Sequence, residues 1–292
     1  MLSETEAQKL RETIPGEGKY IYCIIGVDNG ECLSFGPLGI GGRGDQLYTI
    51  SYKTIAAVVS NSPIKQYSVA RENLIPHERA IEEVMKVYTV LPVRFATIAE
   101  DEKKVKTILE KDQDKILDLL ENMKGKLELG LKAIFSAKGG PASGGKDDIY
   151  SYILEKYQNI KALKVKIAAL PFEKSYYQRM EIGRMVETAL EKEKANLKED
   201  ILNNLSPLAL ETKTNNTYGE KMIINSAFLV EKNREGEFDQ KIQELDAKYG
   251  DKVKFKYVGT LPPFNFVNLV IDTSTGLSVN GERSRTIETG KY

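Results

Sequence analysis

The sequence predicts an α+β protein of two domains, in which the second domain has the element order β-α-β-β-α-β. A chain of 292 residues is long enough for roughly two domains. Short runs of β-branched and aromatic residues, typical of strands, alternate with segments whose apolar residues recur at helical spacing. In the second half, one strand, a pair of long helices, two strands, one helix and a final strand follow in that order.

The composition narrows the class of protein before any motif is considered. Lysine and arginine number 42, and aspartate and glutamate also number 42, so the chain lacks the basic excess that bulk nucleic-acid binding needs. No apolar run approaches the length of a membrane span, and the charged first ten residues contain no signal-peptide core. Two cysteines, Cys23 and Cys32, make no disulfide framework, which favours a cytoplasmic protein.

The first predicted domain covers residues 1–122 and combines strands with two amphipathic helices. Ile81, Val84 and Tyr88 fall on one helical face. Pro76 suits the first turn of that helix, where its missing N–H is not needed. The predicted elements are strands at residues 19–27, 47–52, 55–60 and 90–98, and helices at residues 73–88 and 100–122.

The strand predicted at residues 90–98 contains two residues that a buried apolar strand rarely tolerates. Pro92 cannot donate a hydrogen bond to a sheet ladder, and Arg94 cannot be buried without partners. We expect an internal ion pair to hold the guanidinium of Arg94, with an exposed recognition role as the alternative.

The second predicted domain covers residues 123–272. Leucine alternates with polar or small residues over residues 126–135, which is the strand period, and apolar residues at four-residue spacing predict two long helices that end near Pro171 and Pro207. The remaining elements are strands at residues 208–214, 222–231 and 253–257 and a helix over residues 238–249. This order predicts a ferredoxin-like domain with an enlarged helical crossover, followed by a disordered tail at residues 273–292.

Two glycine-rich segments match nucleotide-binding patterns only in part. Residues 39–44 satisfy G-x-G-x-x-G, but the dinucleotide fingerprint needs a helix after the glycines and a strand pattern follows here. Residues 140–147 match G-x-x-x-x-G-K between a strand and a helix, and Asp272 could supply the acidic strand end. Asp147 stands where serine or threonine would ligate magnesium, and phosphates would repel its carboxylate. A loop is favoured for both segments, and nucleotide binding by residues 140–147 is kept as the alternative function.

The isolated histidine and the first cysteine have structural interpretations that outweigh chemical ones. His77 stands beside Glu78 near a helix start and could act as a general base, but a structural hydrogen bond is favoured. Cys23 lies in an apolar strand and is expected to be a small core residue. We therefore assign no catalytic residue and no metal ligand to these positions, and we expect no cofactor.

The segment at residues 261–267, LPPFNFV, is a candidate recognition loop. Its two prolines restrict the backbone, for which an extended conformation is expected. Phe264 and Phe266 either bind a partner or cover the sheet of the second domain, and the sequence leaves both readings open.

Several of these segments, taken in order, resemble the gas vesicle accessory protein family that contains the F and L proteins, with F favoured. The resembling segments are residues 20–22, 56–60, 71–74, 77–78, 84–85, 90–95, 125–130, 225–230 and 261–267. The resemblance covers roughly residues 18–270, nearly the whole chain. One departure is Ala96, which stands where the family usually has glycine.

The resemblance implies a protein without catalytic activity that takes part in gas vesicle assembly as an accessory or minor structural component. It implies binding to the hydrophobic shell protein and to other accessory proteins, in association with the vesicle. Nucleic acid and membrane are not expected as partners, because the charges balance and no apolar run is long enough to span a membrane, and the cysteine content favours the cytoplasm. The resemblance also implies two α+β domains, the second ferredoxin-like. Restricted backbone with aromatic or cationic groups suits binding, so segments 91–97 and 262–267 are the expected contact surface. The candidate residues are Arg94, Phe95, Pro262, Phe264, Asn265 and Phe266.

Overall fold

The structure is a computed structural model that describes residues 16–28, 30–136, 149–269 and 271. The described residues up to Glu128, together with those from Thr260 onward, form one compact unit, and Leu129–Gly259 form a second. Strands and helices occur in both units, so the α+β class is confirmed. Within the described ranges, no helix is long and apolar enough to cross a membrane.

The first unit contains a six-stranded sheet. Its strands are β1 (Glu17–Gly26), β2 (Ser34–Gly36), β3 (Leu47–Tyr52), β4 (Ile55–Pro63), β5 (Val90–Pro92) and β6 (Ile98–Ala99). The order across the sheet is β2-β3-β4-β1-β5, and β6 also pairs with β1. β1 and β4 are antiparallel along their length and almost completely buried, because both are runs of β-branched, aromatic and small residues. This strand pair is the centre of the unit.

The single strand predicted at residues 90–98 is wrong, because two short strands with a turn between them occupy this stretch. Pro92 lies opposite Cys23 on β5, the strand at the edge of the sheet. A proline at an edge strand removes no hydrogen bond between two inner strands. The N–H of Val93 still donates to the carbonyl of Tyr22 at 2.9 Å. The chain then turns, and Ala96 adopts a φ of 63°, which a continuous strand does not allow.

Three helices accompany this sheet, namely α1 (Arg71–Met85), α2 (Glu102–Lys111) and α3 (Gln113–Met123). The one helix predicted at residues 100–122 is divided at Asp112, whose φ of −107° and ψ of 17° are not helical. α1 starts two residues earlier than predicted, so Pro76 lies beyond the first turn and removes one helical hydrogen bond.

A four-stranded sheet is formed by β7 (Lys126–Phe135), β8 (Glu211–Thr214), β9 (Met222–Glu231) and β10 (Val253–Leu261). Its order is β10-β7-β9-β8, and β8 and β9 are antiparallel. The strands predicted at residues 126–135 and 222–231 have the bounds of β7 and β9. Four helices complete this part, namely α4 (Ile149–Lys156), α5 (Gln158–Ala168), α6 (Phe172–Leu205) and α7 (Glu235–Tyr249).

The helices between β7 and β8 have their own apolar core. The first long helix predicted here is divided at Tyr157, whose φ is −104° and ψ is 86°. Isoleucines of α4 and α5 pack with Ile182 and Val186 of α6. The carboxylate of Glu193 is only 5% exposed and accepts hydrogen bonds from Lys156 Nζ at 2.5 Å and Tyr157 Oη at 2.8 Å. Glu193 therefore joins the junction of α4 and α5 to α6.

Candidate functional site

The two segments expected to form a contact surface meet at one aromatic cluster in the first unit. We call Tyr20, Tyr22, Tyr67, His77, Phe95 and Phe264 the aromatic cluster. The ring centroid of His77 lies 5.6 Å from that of Phe95 and 6.2 Å from that of Phe264. Phe95 and Phe264 are 169 positions apart in sequence and are brought together around His77.

Strand and helix periodicity explain how the cluster assembles. Tyr20 and Tyr22 are two residues apart on β1 and project to the same face of the sheet. His77 and Ile81 are four residues apart on α1 and share its buried face. Tyr20, Tyr22 and Ile81 belong to one buried core, against which Phe95 and Phe264 pack as partly buried residues.

The hydroxyl of Tyr20 connects the helix to the turn at Ala96. It accepts a hydrogen bond from the N–H of Ala96 at 2.8 Å, and it lies 3.1 Å from Nδ1 of His77. One hydrogen bond therefore joins the Tyr20 hydroxyl to Nδ1 of His77, and the tautomer of the imidazole determines which of the two atoms donates.

Tyr22 and Tyr67 place their hydroxyls in a similar way. Tyr22 Oη accepts from the N–H of Ile40 at 2.7 Å and lies 2.9 Å from Ser60 Oγ. Tyr67 Oη lies 2.7 Å from Ser62 Oγ. These hydrogen bonds satisfy polar groups that would otherwise be costly to bury. Burial raises the pKa of the Tyr22 hydroxyl to about 12, so this hydroxyl remains a neutral donor and acceptor.

Burial keeps His77 neutral. The residue is 2% exposed, and burial lowers the pKa of its imidazole to about 4, while the backbone of Val93 acts in the opposite direction. Nε2 has no hydrogen-bond partner within the described part of the chain. A ring that is sealed from solvent and whose Nδ1 is occupied by Tyr20 cannot take a proton from a substrate. The expected structural hydrogen bond of His77 is confirmed.

Glu78, the next residue on α1, has the opposite perturbation. Burial, followed by repulsion from Glu82, raises the pKa of its carboxyl to about 7. Near neutral pH this side chain is therefore partly protonated. Two neighbouring groups on one helix thus both disfavour their charged forms, because both are removed from water.

The expectation that an internal ion pair holds Arg94 is wrong. Arg94 is exposed, and its guanidinium makes no ion pair or side-chain hydrogen bond with any described residue. Its backbone is fixed nevertheless, because the carbonyl accepts a hydrogen bond from Thr97 Oγ1 at 2.7 Å. On both sides of the turn at Ala96 the chain stays hydrogen-bonded to β1, through Val93 N–H to the carbonyl of Tyr22 and through Ile21 N–H to the carbonyl of Thr97. The turn between them leaves a cation on a restrained backbone at the surface.

The loop 262–267 is a compact turn, and the extended conformation expected for it is wrong. The N–H of Phe264 donates to the carbonyl of Pro262 at 2.7 Å, and the N–H of Phe266 donates to that of Pro263 at 3.1 Å. The sequence leaves two readings open for Phe264, and its ring packs on the aromatic cluster of the first unit. Pro262 and Phe266 are buried, and Phe264 and Asn265 are half-buried.

A buried carboxylate on β7 holds this loop. Glu128 is 2% exposed and accepts hydrogen bonds from both the backbone N–H of Asn265 at 2.9 Å and its Nδ2 at 2.5 Å. Two hydrogen bonds from one residue to the two oxygens of one buried carboxyl group fix the loop. Sequence reasoning missed Glu128, because the alternation in β7 assigns it to a polar face.

The first glycine-rich segment, residues 39–44, does not have the strand-to-helix geometry of a dinucleotide site. Residues 39–44 form a short 3-10 turn at Ile40–Gly42 that leads into β3, as the favoured loop interpretation requires. Gly39 is needed for packing, because a Cβ there would lie 2.7 Å from Asp45 Cβ. Residues 140–147, Asp272 and the predicted tail lie outside the described residues. Within the described ranges, no group of three or more His, Cys, Asp or Glu side chains is arranged to hold a metal ion.

Known proteins match the chain over almost all of this structure. Residues 18–268 match the family described as gas vesicle synthesis protein GvpL/GvpF. The chain is 26% identical over 208 residues to gas vesicle protein F of Dolichospermum flosaquae, which covers 70% of this chain and 80% of that protein. It is 22% identical over 236 residues to gas vesicle protein F of Haloferax mediterranei, covering 80% of this chain and 86% of that one.

A solved structure shares the fold. The crystal structure of the gas vesicle protein GvpF from Anabaena sp. PCC7120 superposes with a TM-score of 0.70 at 22% identity, and covers 87% of this chain and 99% of that chain. These three proteins carry the name F, the member that the sequence resemblance favours over L.

Proposed function

Because the chain belongs to the gas vesicle synthesis protein GvpL/GvpF family, its role lies in gas vesicle formation, and we propose that it acts there as an accessory or minor structural protein. In this proposal it binds the hydrophobic shell protein and other gas vesicle accessory proteins, carries out no catalysis, and works in the cytoplasm in association with the vesicle. The observation that carries the proposal is the family match over residues 18–268.

The surface proposed for partner binding comprises Arg94, Phe95, Pro262, Phe264, Asn265 and Phe266. Arg94 offers an exposed cation, and Phe95 and Phe264 offer half-buried aromatic rings. Pro262 and Phe266 are buried and hold the loop in its turn. Arginine and aromatic residues carry much of the binding energy in protein interfaces, and a backbone that is already restrained loses less entropy on binding.

Side chains, and not strand addition, carry binding in this proposal. β5 lies at the edge of the first sheet, where a partner strand could in principle pair. Pro92, however, has no N–H to donate there, and the turn at Ala96 interrupts the edge before it resumes as the two-residue strand β6. An apolar shell protein that must be kept from aggregating before assembly would instead meet the aromatic rings, with Arg94 at the rim.

We also propose that residues 1–122 and 123–272 are the two domains of the chain, and that the second is ferredoxin-like with an enlarged helical crossover. The succession from β7 to β10 supports this, as does the sheet order β10-β7-β9-β8, in which the first and third strands are central. The three helices α4, α5 and α6 form the enlarged crossover.

Two experiments test the proposal. Cells that form gas vesicles should lose them when this gene is deleted and regain them when the intact chain is supplied, and vesicles that form normally without it would contradict the proposed role. Binding to purified shell protein should weaken about tenfold in Arg94→Ala and in Phe264→Ala, because single interface side chains of these types often contribute more than about 1 kcal/mol.

The matched control for the binding test is Arg71→Ala. Arg71 is an exposed arginine of the same unit and also makes no ion pair with a described residue. Arg71→Ala should bind as the wild type does. Undiminished binding by correctly folded Arg94→Ala and Phe264→Ala would refute the assignment of the surface without affecting the role in vesicle formation.

A further inference from the structure

The hairpin formed by α5 and α6 exposes an unusual amount of apolar side chain at its closed end. We call residues 161–180 the hairpin tip. Twelve large apolar residues are exposed in the described part of the chain, and five of them lie in the tip. These five are Val165, Leu170, Tyr176, Tyr177 and Met180, with Tyr177 82% exposed. So dense a group of exposed apolar residues marks an interaction surface.

These residues are not the core-facing side of the hairpin. The inner faces of α5 and α6 are already packed through Ile160, Ile167 and Ile182, which are all buried. Tyr176 and Met180 are four residues apart on α6 and share an outer face. The rings of Tyr176 and Tyr177 pack edge to face against each other with centroids 5.6 Å apart. The tip thus presents a second apolar surface, directed at solvent.

Charge distinguishes this surface from the rest of the molecule. The tip contains five basic residues and one acidic residue, Glu173, a net charge of +4 in a chain whose net charge is zero. The basic residues are Lys161, Lys164, Lys166, Lys174 and Arg179. Three of them, Lys161, Lys166 and Lys174, are exposed and make no ion pair or side-chain hydrogen bond with any described residue. An acidic partner would neutralise them without breaking existing pairs.

We propose that the hairpin tip docks a protein segment that is acidic on one side and apolar on the other, such as an amphipathic helix. The exposed rings and Met180 would meet its apolar side, and the lysines would surround the contact and attract its carboxylates. Three of the five exposed apolar residues are tyrosine or methionine, which protein interfaces favour, whereas helices that lie on membranes use tryptophan, phenylalanine and leucine. The tip belongs to the second unit, so the inference goes beyond the proposed function, whose candidate residues belong to the first.

The test uses a fluorescein-labelled synthetic helical peptide with glutamate on one face and leucine on the other, and the full-length chain. Anisotropy should show binding that weakens with added salt, because ion pairs at a surface are screened. Tyr176→Ser/Tyr177→Ser and Lys161→Glu/Lys166→Glu/Lys174→Glu should each lower the affinity at least tenfold. Because the substituted residues are exposed, circular dichroism and melting temperature should not change.

Matched controls separate the tip from general charge and hydrophobicity. Lys103→Glu/Lys111→Glu/Lys115→Glu changes the net charge by the same amount on exposed helix positions of the first unit, and Tyr218→Ser removes a tyrosine that is 56% exposed. Both controls should bind within about twofold of the wild type.

Three results would overturn the inference. The first is equal binding by the tip and control variants. The second is binding to vesicles that contain anionic lipid, lost in the tip variants, with none to the peptide, which would assign the tip to a membrane surface. The third is self-association that Tyr176→Ser/Tyr177→Ser abolishes without any peptide binding, which would assign it to a second copy of the chain.

Discussion

The dependence of the free energy of unfolding on pH should reveal that His77, in the aromatic cluster, is neutral. The pKa of His77 is about 4 in the folded protein and 6.5 as an ordinary histidine. Below pH 6.5 the imidazole of the unfolded chain binds a proton, whereas that of the folded chain stays neutral. The contribution of His77 to the free energy of unfolding is therefore complete above pH 6.5 and falls as the pH drops toward 4. The full difference corresponds to about 3 kcal/mol, and about 2 kcal/mol of it is lost between pH 6.5 and pH 5.

Glu78 opposes this trend in the wild-type protein. Its pKa is raised from 4.5 to about 7, so the folded chain keeps a proton that the unfolded chain releases. Stability from this group is complete below pH 4.5 and is lost as the pH rises toward 7. After allowance for its partial exposure the effect is about 2 kcal/mol. Between pH 5 and pH 6.5 the two slopes have opposite signs, and the wild-type stability should change little.

The Glu78→Gln variant separates the two groups. Glutamine keeps the size of the side chain and removes its titration, so the slope of His77 is no longer compensated. We expect the free energy of unfolding of Glu78→Gln, measured by urea titration, to fall by about 2 kcal/mol between pH 6.5 and pH 5. His77→Gln/Glu78→Gln should be flat over this range. A Glu78→Gln profile as flat as that of the wild type would refute the burial of a neutral His77.

Substitutions at three further positions, Ala96, Glu193 and Gly39, test other parts of the structure by urea unfolding. Ala96→Gly should raise the free energy of unfolding by about 0.5 kcal/mol, because glycine adopts the positive φ without strain and this gain exceeds the cost of the added entropy of the unfolded chain. Ala96→Val should lower the free energy of unfolding by more than about 1 kcal/mol. Equal stabilities would contradict the turn. Glu193→Ala should cost about 2 kcal/mol because it leaves Lys156 and Tyr157 without their acceptor, whereas Glu191→Ala, at an exposed pair, should cost less than about 0.5 kcal/mol. Similar losses in the two variants would contradict the buried role of Glu193. Gly39→Ala should cost more than about 1 kcal/mol because its methyl group would clash with Asp45, and an unchanged urea midpoint would contradict that close approach.

Local periodicity predicted the elements whose pattern is uninterrupted. β7 and β9 have the predicted bounds because their residue types switch sharply at both ends. The breaks at Asp112 and Tyr157 were not predicted, because apolar residues continue at helical spacing across a single residue with non-helical angles. Periodicity reports which face is apolar and carries no information on one residue's backbone angles.

The two segments of the candidate site were predicted from the sequence, but their meeting at one aromatic cluster was not. The error about Arg94 followed from the assumption of a continuous strand, and the signal against it was present at Ala96, where the resembling family usually has glycine. A glycine preference indicates a positive φ, which is what the turn adopts. The hydrogen bonds from Tyr20 to His77 and from Asn265 to Glu128 span 57 and 137 residues, and a single sequence contains no signal for such pairs.

The hydrogen bonds between Asn265 and Glu128 have a topological consequence. Glu128 is the last residue before the second unit, and Asn265 follows shortly after the chain returns to the first unit at Thr260. The second unit is thus an insertion whose two ends are joined by a non-covalent cross-link. While that link holds, unfolding of the insertion occurs inside a closed ring of chain and gains less entropy than it would with free ends. Tension between the flanking parts of the first unit would pass through the link and bypass the insertion.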